Sequence, residues 1–128
     1  MKFAYTIVYV DDVPASLAFF EQAFGLECRF LHESGAYGEL ATGATTLSFA
    51  RHDIARASLG HDYRQVADGA PLGMEVGLAT DDVPGAYARA LQAGAFGLAA
   101  PVVKPWGQTV AYVRCPDGTL VEICTPMA

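Results

Sequence analysis

The sequence predicts an α+β chain made of two tandem βαβββ modules. Three observations carry this. The stretch Asp-Asp-Val-Pro occurs at residues 11–14 and again at 81–84. The nine residues after each copy also align, so that seven of thirteen pairs from Asp11 to Ala23 and from Asp81 to Ala93 are identical. Both copies follow an apolar, β-rich run and precede short strand-like runs separated by glycines. Two copies are too few for a solenoid, so the repeat implies one paired unit.

The elements follow in order. The first strand is predicted within Phe3–Val10, rich in β-branched and aromatic residues, and its counterpart within Gly73–Thr80. The aspartates offer an N-cap, and Pro14 and Pro84 fall in the first helical turn, where a missing N–H costs little. The first helix carries Leu17, Phe20 and Phe24 on one stripe, and the second carries Tyr87 and Leu91. Gly25 and Gly94 stop them. Strands are then predicted near Glu27–His32, Ala36–Ala41 and Thr45–Ala50, and near Ala99–Val103, Thr109–Arg114 and Thr119–Thr125. Pro116-Asp117-Gly118 is the turn before the last of these. Residues 1–50 therefore form the first module, 73–128 the second, and 51–72 a polar linker with one short helix near Ile54–Leu59.

Composition narrows the function. The chain has 128 residues, 52% hydrophobic and 17% charged, enough apolar content for a sizeable core. Its net charge is −6 and its eight Lys and Arg are scattered, which argues against nucleic acid, since phosphate contacts need clustered cations. The acidic balance serves solubility and favours a cationic ligand. No apolar run approaches the roughly 20 residues of a membrane span, and the opening residues do not read as a signal peptide. Cys28, Cys115 and Cys124 are odd in number and lack C-x-x-C spacing, so they read as reduced thiols of a cytoplasmic protein, with Cys124 packed in an apolar strand.

The segments VYVDDVPASLAFFEQAFGLE and AYVRCPDGTLVEICTP, set in this repeat, resemble the vicinal oxygen chelate superfamily. That group includes glyoxalase I, fosfomycin-modifying enzymes, extradiol dioxygenases and bleomycin-resistance proteins. The resemblance implies an incomplete, cupped β-barrel whose concave cleft is the site. It also implies metal ligands at four positions, occupied here by Tyr5 and Ser48 in the first module and Glu75 and Glu122 in the second. Chains of this length in the family pair as homodimers, sometimes exchanging modules.

None of the four positions is a histidine. Two carboxylates, a phenol and a hydroxyl suit a hard cation, and suit Zn, Fe or Ni poorly. The expectation is therefore no metal and no cofactor. Alternation turns Tyr5, Ile7 and Tyr9 to one side of the first strand, and Glu122 shares a side with Leu120 and Cys124. With Ser48, Glu75, Trp106 and Tyr112, these residues would line a cleft for an aromatic small molecule of the kind bleomycin-resistance proteins sequester. The alternative is a glyoxalase-like, metal-dependent lyase, isomerase or transferase using Glu75 and Glu122. A third reading is a regulatory module with a vestigial cleft. His52, His61 and Arg114 are read as structural, and Asp11, Asp12, Asp81 and Asp82 as caps.

Overall fold

The computed structural model describes residues 1–127, so the expected last residue of the second module, Ala128, lies outside the described residues. The element order is β1 (Tyr5–Val10), α1 (Val13–Phe24), β2 (Cys28–Leu31), β3 (Tyr37–Leu40), β4 (Thr46–Arg51) and α2 (His52–Leu59). It continues with β5 (Val76–Ala79), α3 (Val83–Ala93), β6 (Phe96–Val103), β7 (Thr109–Arg114) and β8 (Leu120–Cys124). The two βαβββ modules are present, each with one open four-stranded sheet, ordered β1-β4-β3-β2 and β5-β8-β7-β6. In both, the first and last strands of the module pair in parallel and the remaining pairs are antiparallel.

The repeated tetrapeptide builds the same helix start twice. Asp12 accepts a hydrogen bond from the Ala15 N–H at 3.1 Å, and Asp82 accepts one from the Gly85 N–H at 3.0 Å. Each occupies one of the free donors at a helix N-terminus, with proline in the first turn. Gly25, at φ 70°, ends α1 in a left-handed conformation that costs a glycine nothing.

One core joins both modules. Val10, Val13, Leu17, Phe20, Leu40 and Phe49 of the first pack in the same cluster as Val83, Ala90, Val113, Val121 and Ile123 of the second. The modules meet through their helices, α1 against α3. Arg89 of α3 reaches across to donate to the Gln22 and Glu21 carbonyls at 2.9 and 3.3 Å, so a cation sits at the negative end of α1. The helices cover one face of each sheet, and the linker covers part of the opposite face of the first, where Tyr63 packs on Tyr9.

Several expectations need correction. The apolar stripe of α3 holds Tyr87, packed half-buried against the core, and Leu91, 38% exposed over Gly97 of β6, but its fully buried positions are Val83 and Ala90. The close α1–α3 approach leaves room there for an alanine and not for a large side chain. β5 is shorter than expected, and Glu75 lies just before it, exposed, not within an apolar strand. β6 begins three residues earlier than expected, at Phe96.

The linker is also no free tether. Arg114 holds it, donating to the Gly69, Val66 and Gly118 carbonyls at 2.8, 3.1 and 3.2 Å. This is the structural role expected of Arg114, though its acceptors are carbonyls and not a carboxylate. Among the described residues, no helix is long and apolar enough to cross a membrane.

Candidate functional site

The outer face of the first sheet follows from register. Ile7 pairs with Ser48, and Ser48 with Glu39, so Tyr5, Ile7, Tyr9, Ser48, Tyr37 and Glu39 share a face. Tyr5 stands 57% exposed. Ser48 is wholly buried, its hydroxyl donating to the Thr6 carbonyl at 3.3 Å. Glu39 accepts from the Tyr37 hydroxyl at 2.7 Å and from Arg29 at 3.0 Å. The Tyr37 hydrogen bond, then Arg29, holds the Glu39 carboxyl below its usual range, while burial pushes the Tyr37 phenol up. Arg29 also donates to Thr46 at 2.8 Å. This face therefore carries a fully satisfied carboxylate.

The second face is different. Tyr112 pairs with Glu122 across β7 and β8, and its hydroxyl donates to the Glu122 carboxylate at 3.1 Å. Glu75 reaches the same carboxylate from the segment before β5, and the two carboxyl groups are in hydrogen-bonding contact. Two adjacent carboxylates resist joint ionisation, so one proton stays between them. The hydrogen bond to Glu122, with some burial, pushes Glu75 up to about 7, and Glu122 is correspondingly lowered by the proton Glu75 donates.

Beside the pair runs an open groove of about 590 Å³ lined by Trp106, Gln108, Glu122, Cys124 and Met127, with Gly77 leaving space in its floor. Trp106 is 65% exposed, its indole N–H donating to the Gln108 side chain at 2.9 Å. Cys124 is not core packing as expected. It lies half-buried beside Glu122, and burial with the neighbouring carboxyls raises its thiol. The buried thiol is Cys115, because Val121 and Ile123, not Cys124, point to the helices.

Thus the chain brings Glu75, Glu122, Tyr112 and Trp106 together on one sheet, and Tyr5 and Ser48 on the other. Ile7 and Tyr9 lie between, along the seam where Glu75 also reaches, with Tyr9 packed on Tyr63 at a centroid distance of 5.0 Å. Among the described residues, no hydrogen bond or ion pair joins Tyr5 or Ser48 to Glu75 or Glu122. His52 is buried and satisfied by the Tyr63 hydroxyl and Asp11, as read for a structural histidine, and His61 is exposed. Sequence reasoning missed Arg29, Tyr37, Glu39 and Gln108. Alternation along β3 was the available signal for Tyr37 and Glu39.

The metal that the fold family implies does not fit this donor set. Its four positions hold a phenol, a buried serine hydroxyl and two carboxyls, with no imidazole or thiolate of the kind Zn, Fe or Ni favour. No group of three His, Cys, Asp or Glu among the described residues could hold an ion.

The shared proton has a stability consequence. Unfolded, Glu75 releases its proton near 4.5; folded, it keeps it to about 7, so the folded state binds more protons between those values. That contribution is present below 4.5 and is lost as pH rises through 7. Glu122, being lowered, acts in the opposite sense and loses its contribution as pH falls below its usual range. Glu75 is exposed, so water screens the effect to well under the ~1.4 kcal/mol per pH unit of an unscreened site. Thermal unfolding from about pH 5 to about pH 8 is expected to show a falling Tm in the wild type and a flatter one in Glu75→Gln. Parallel curves would mean the proton is not shared.

Residues 3–128 match the glyoxalase-like domain family. No curated protein matches the chain. Among solved structures, a glyoxalase-related enzyme from Fulvimarina pelagi is similar at TM-score 0.84 and 20% identity, covering 98% of this chain and 88% of its own. A glyoxalase/bleomycin resistance protein/dioxygenase family enzyme from Burkholderia phytofirmans PsJN superposes at TM-score 0.78 and 20% identity, covering 99% and 100%. TioX from Micromonospora sp. ML1 does so at 0.74 and 20%, over 99% and 100%. With two βαβββ modules, a paired carboxyl site on the second sheet and a family match over nearly its whole length, the chain belongs to the glyoxalase-like domain family of the vicinal oxygen chelate superfamily.

Proposed function

We propose that this protein binds an aromatic, cationic small molecule without a transition metal, holding it in the groove between Trp106 and the Glu75–Glu122 pair. One observation carries the reading. The only tryptophan and Glu122 line one open groove, with Tyr112 and Glu75 beside it on the Glu122 carboxylate, so that the indole face suits a planar ligand and the negative charge suits a basic nitrogen. Tyr5 on the first sheet and Phe96, Val103 and Trp106 in the second module are each more than half exposed. A second copy in a homodimer would cover them, setting the Tyr5 face of one chain over the Trp106 face of the other.

A planar aromatic amine such as 9-aminoacridine serves as the probe. The wild type is expected to quench its fluorescence, and Trp106→Ala to weaken binding about tenfold by removing one ring contact and its buried area. Because Trp106 is 65% exposed, Tm should hold. Equal affinity for an anionic naphthalene sulfonate would sink the cationic assignment, and unchanged binding in Trp106→Ala would sink the groove.

A second reading rests on Glu75, whose proton is held to about pH 7, where a general acid–base works best. In a lyase or isomerase it would pass a proton to or from a substrate carbon, with Glu122 restoring it. That reading requires a substrate whose turnover stops in Glu75→Gln while Tm is kept.

A further inference from the structure

Trp106 stands on the tight turn between β6 and β7. The backbone closes that turn by itself: the Lys104 N–H donates to the Gln108 carbonyl and the Gly107 N–H to the Lys104 carbonyl, both at 2.8 Å. Nothing in those bonds holds the indole. A side chain 65% exposed on a turn samples several rotamers, and ordering it when a ligand arrives weakens binding. One neighbour prevents this. The Gln108 Oε1 accepts from the indole N–H, and the Gln108 Nε2 donates to the Thr125 carbonyl, each at 2.9 Å. Thr125 is itself clamped to the start of β7. Its N–H donates to the Thr109 carbonyl and its hydroxyl accepts from the Thr109 N–H, both at 3.0 Å. Through one amide, the indole is tied to the end of the last strand.

The chemistry of the two partners accounts for the residue type. An indole N–H only donates and a backbone carbonyl only accepts, so the group between them must offer one acceptor and one donor. A glutamine amide does so, and its partners fix which end faces which. A glutamate would set a carboxylate oxygen against the Thr125 carbonyl. The bond from the indole N–H also lies in the plane of the ring. It commits the only polar atom of the side chain and leaves the ring faces free for stacking. We propose that Gln108 is the positioning residue of the groove, holding the Trp106 indole in place before a ligand arrives and reducing it to a flat surface with no hydrogen bond to offer. The role rests on the groove proposed above as the ligand site, and it narrows the ligand class to fused aromatic rings that bring no hydrogen-bond acceptor to the tryptophan.

Gln108→Met keeps the length of the side chain and removes both hydrogen bonds, and Gln108→Leu serves as a second variant. In ligand-free protein, the indole N–H of either variant should exchange faster with solvent by NMR, and the Trp106 fluorescence anisotropy should fall. Trp106 is the only tryptophan, so both signals are its own. Tm should hold, since the backbone bonds of the turn remain. By calorimetry, 9-aminoacridine should bind Gln108→Met about fivefold more weakly, the cost of ordering one side chain on binding. Gln108 also lines the groove, so a direct contact must be separated from positioning. Trp106→Phe keeps a ring and loses the indole N–H; in that background Gln108→Met should change affinity by less than about twofold. Unchanged indole exchange and anisotropy in both variants would overturn the proposal, as would an equal loss of affinity in the Trp106→Phe background. Failure of 9-aminoacridine to bind the wild type would instead sink the groove as its site, and the indole signals alone would then decide the role of Gln108.

Discussion

Phe20→Ala is expected to destabilise the protein by about 3–5 kcal/mol, much of the 5–15 kcal/mol typical of a domain. Phe20 is fully buried and lies 5.1 Å from the Phe49 ring and 5.2 Å from the Phe24 ring. Removing it opens a cavity that α1 cannot close, because α1 is pressed against both its own sheet and α3. Tm should drop by roughly 10 °C or more. The loss should be felt in both modules, since Phe20 belongs to the cluster that includes Val113 and Ile123. Denaturant unfolding followed by Trp106 fluorescence, which reports the second module, should shift as far as circular dichroism of the whole chain. A shift in one signal alone would mean the modules fold separately.

Gly118→Ala should cost roughly 2–4 kcal/mol from one methyl group. Gly118 has φ 99°, a conformation that L side chains rarely adopt, and an added Cβ would strike the Val66 carbonyl oxygen and lie 2.6 Å from the Ala67 Cα. Backbone stands on both sides, so the linker must move. That movement breaks the Arg114 bonds to Val66 and Gly69. Hydrogen exchange should therefore quicken across residues 64–72 while α1 stays protected. Unchanged protection there, with Tm kept, would show that the linker is not held by this contact.

These two positions mark what the sequence could and could not disclose. The paired Asp-Asp-Val-Pro segments carry their own chemistry of caps and prolines, so both helices were legible to within a residue or two, and so was the βαβββ order. β7 was legible end to end because alternation and the Pro-Asp-Gly turn bound it. Packing between distant segments was not. Tyr87 and Leu91 do face the sheet over Gly97, but nothing local in them tells that α1 lies so close that Val83 and Ala90 take the fully buried places. Nothing local in Arg114 tells that its partners are linker carbonyls 45 and 48 residues away.

The site divides in the same way. That Glu122 and Tyr112 share one face of the second sheet was legible because strand parity is a local property, as was the exposed turn position of Trp106. That Tyr5 and Ser48 would lie on a separate face from Glu75 and Glu122 depends on which surfaces the helices cover, a property of the assembled core. The contrast between the satisfied Glu39 and the paired Glu75–Glu122 required the hydrogen bonds themselves.

Metal content tests the central claim most directly. Protein purified without chelators or an affinity tag would be assayed for bound metal, then again after incubation with Mn, Ni, Fe(II) and Zn. Four positions without a histidine, and no group of three His, Cys, Asp or Glu among the described residues that could hold an ion, predict no stoichiometric metal under any condition, and a Trp106 fluorescence unchanged by these ions. Near-stoichiometric metal that disappears in Glu122→Gln would contradict the account and restore the chelate chemistry of the family.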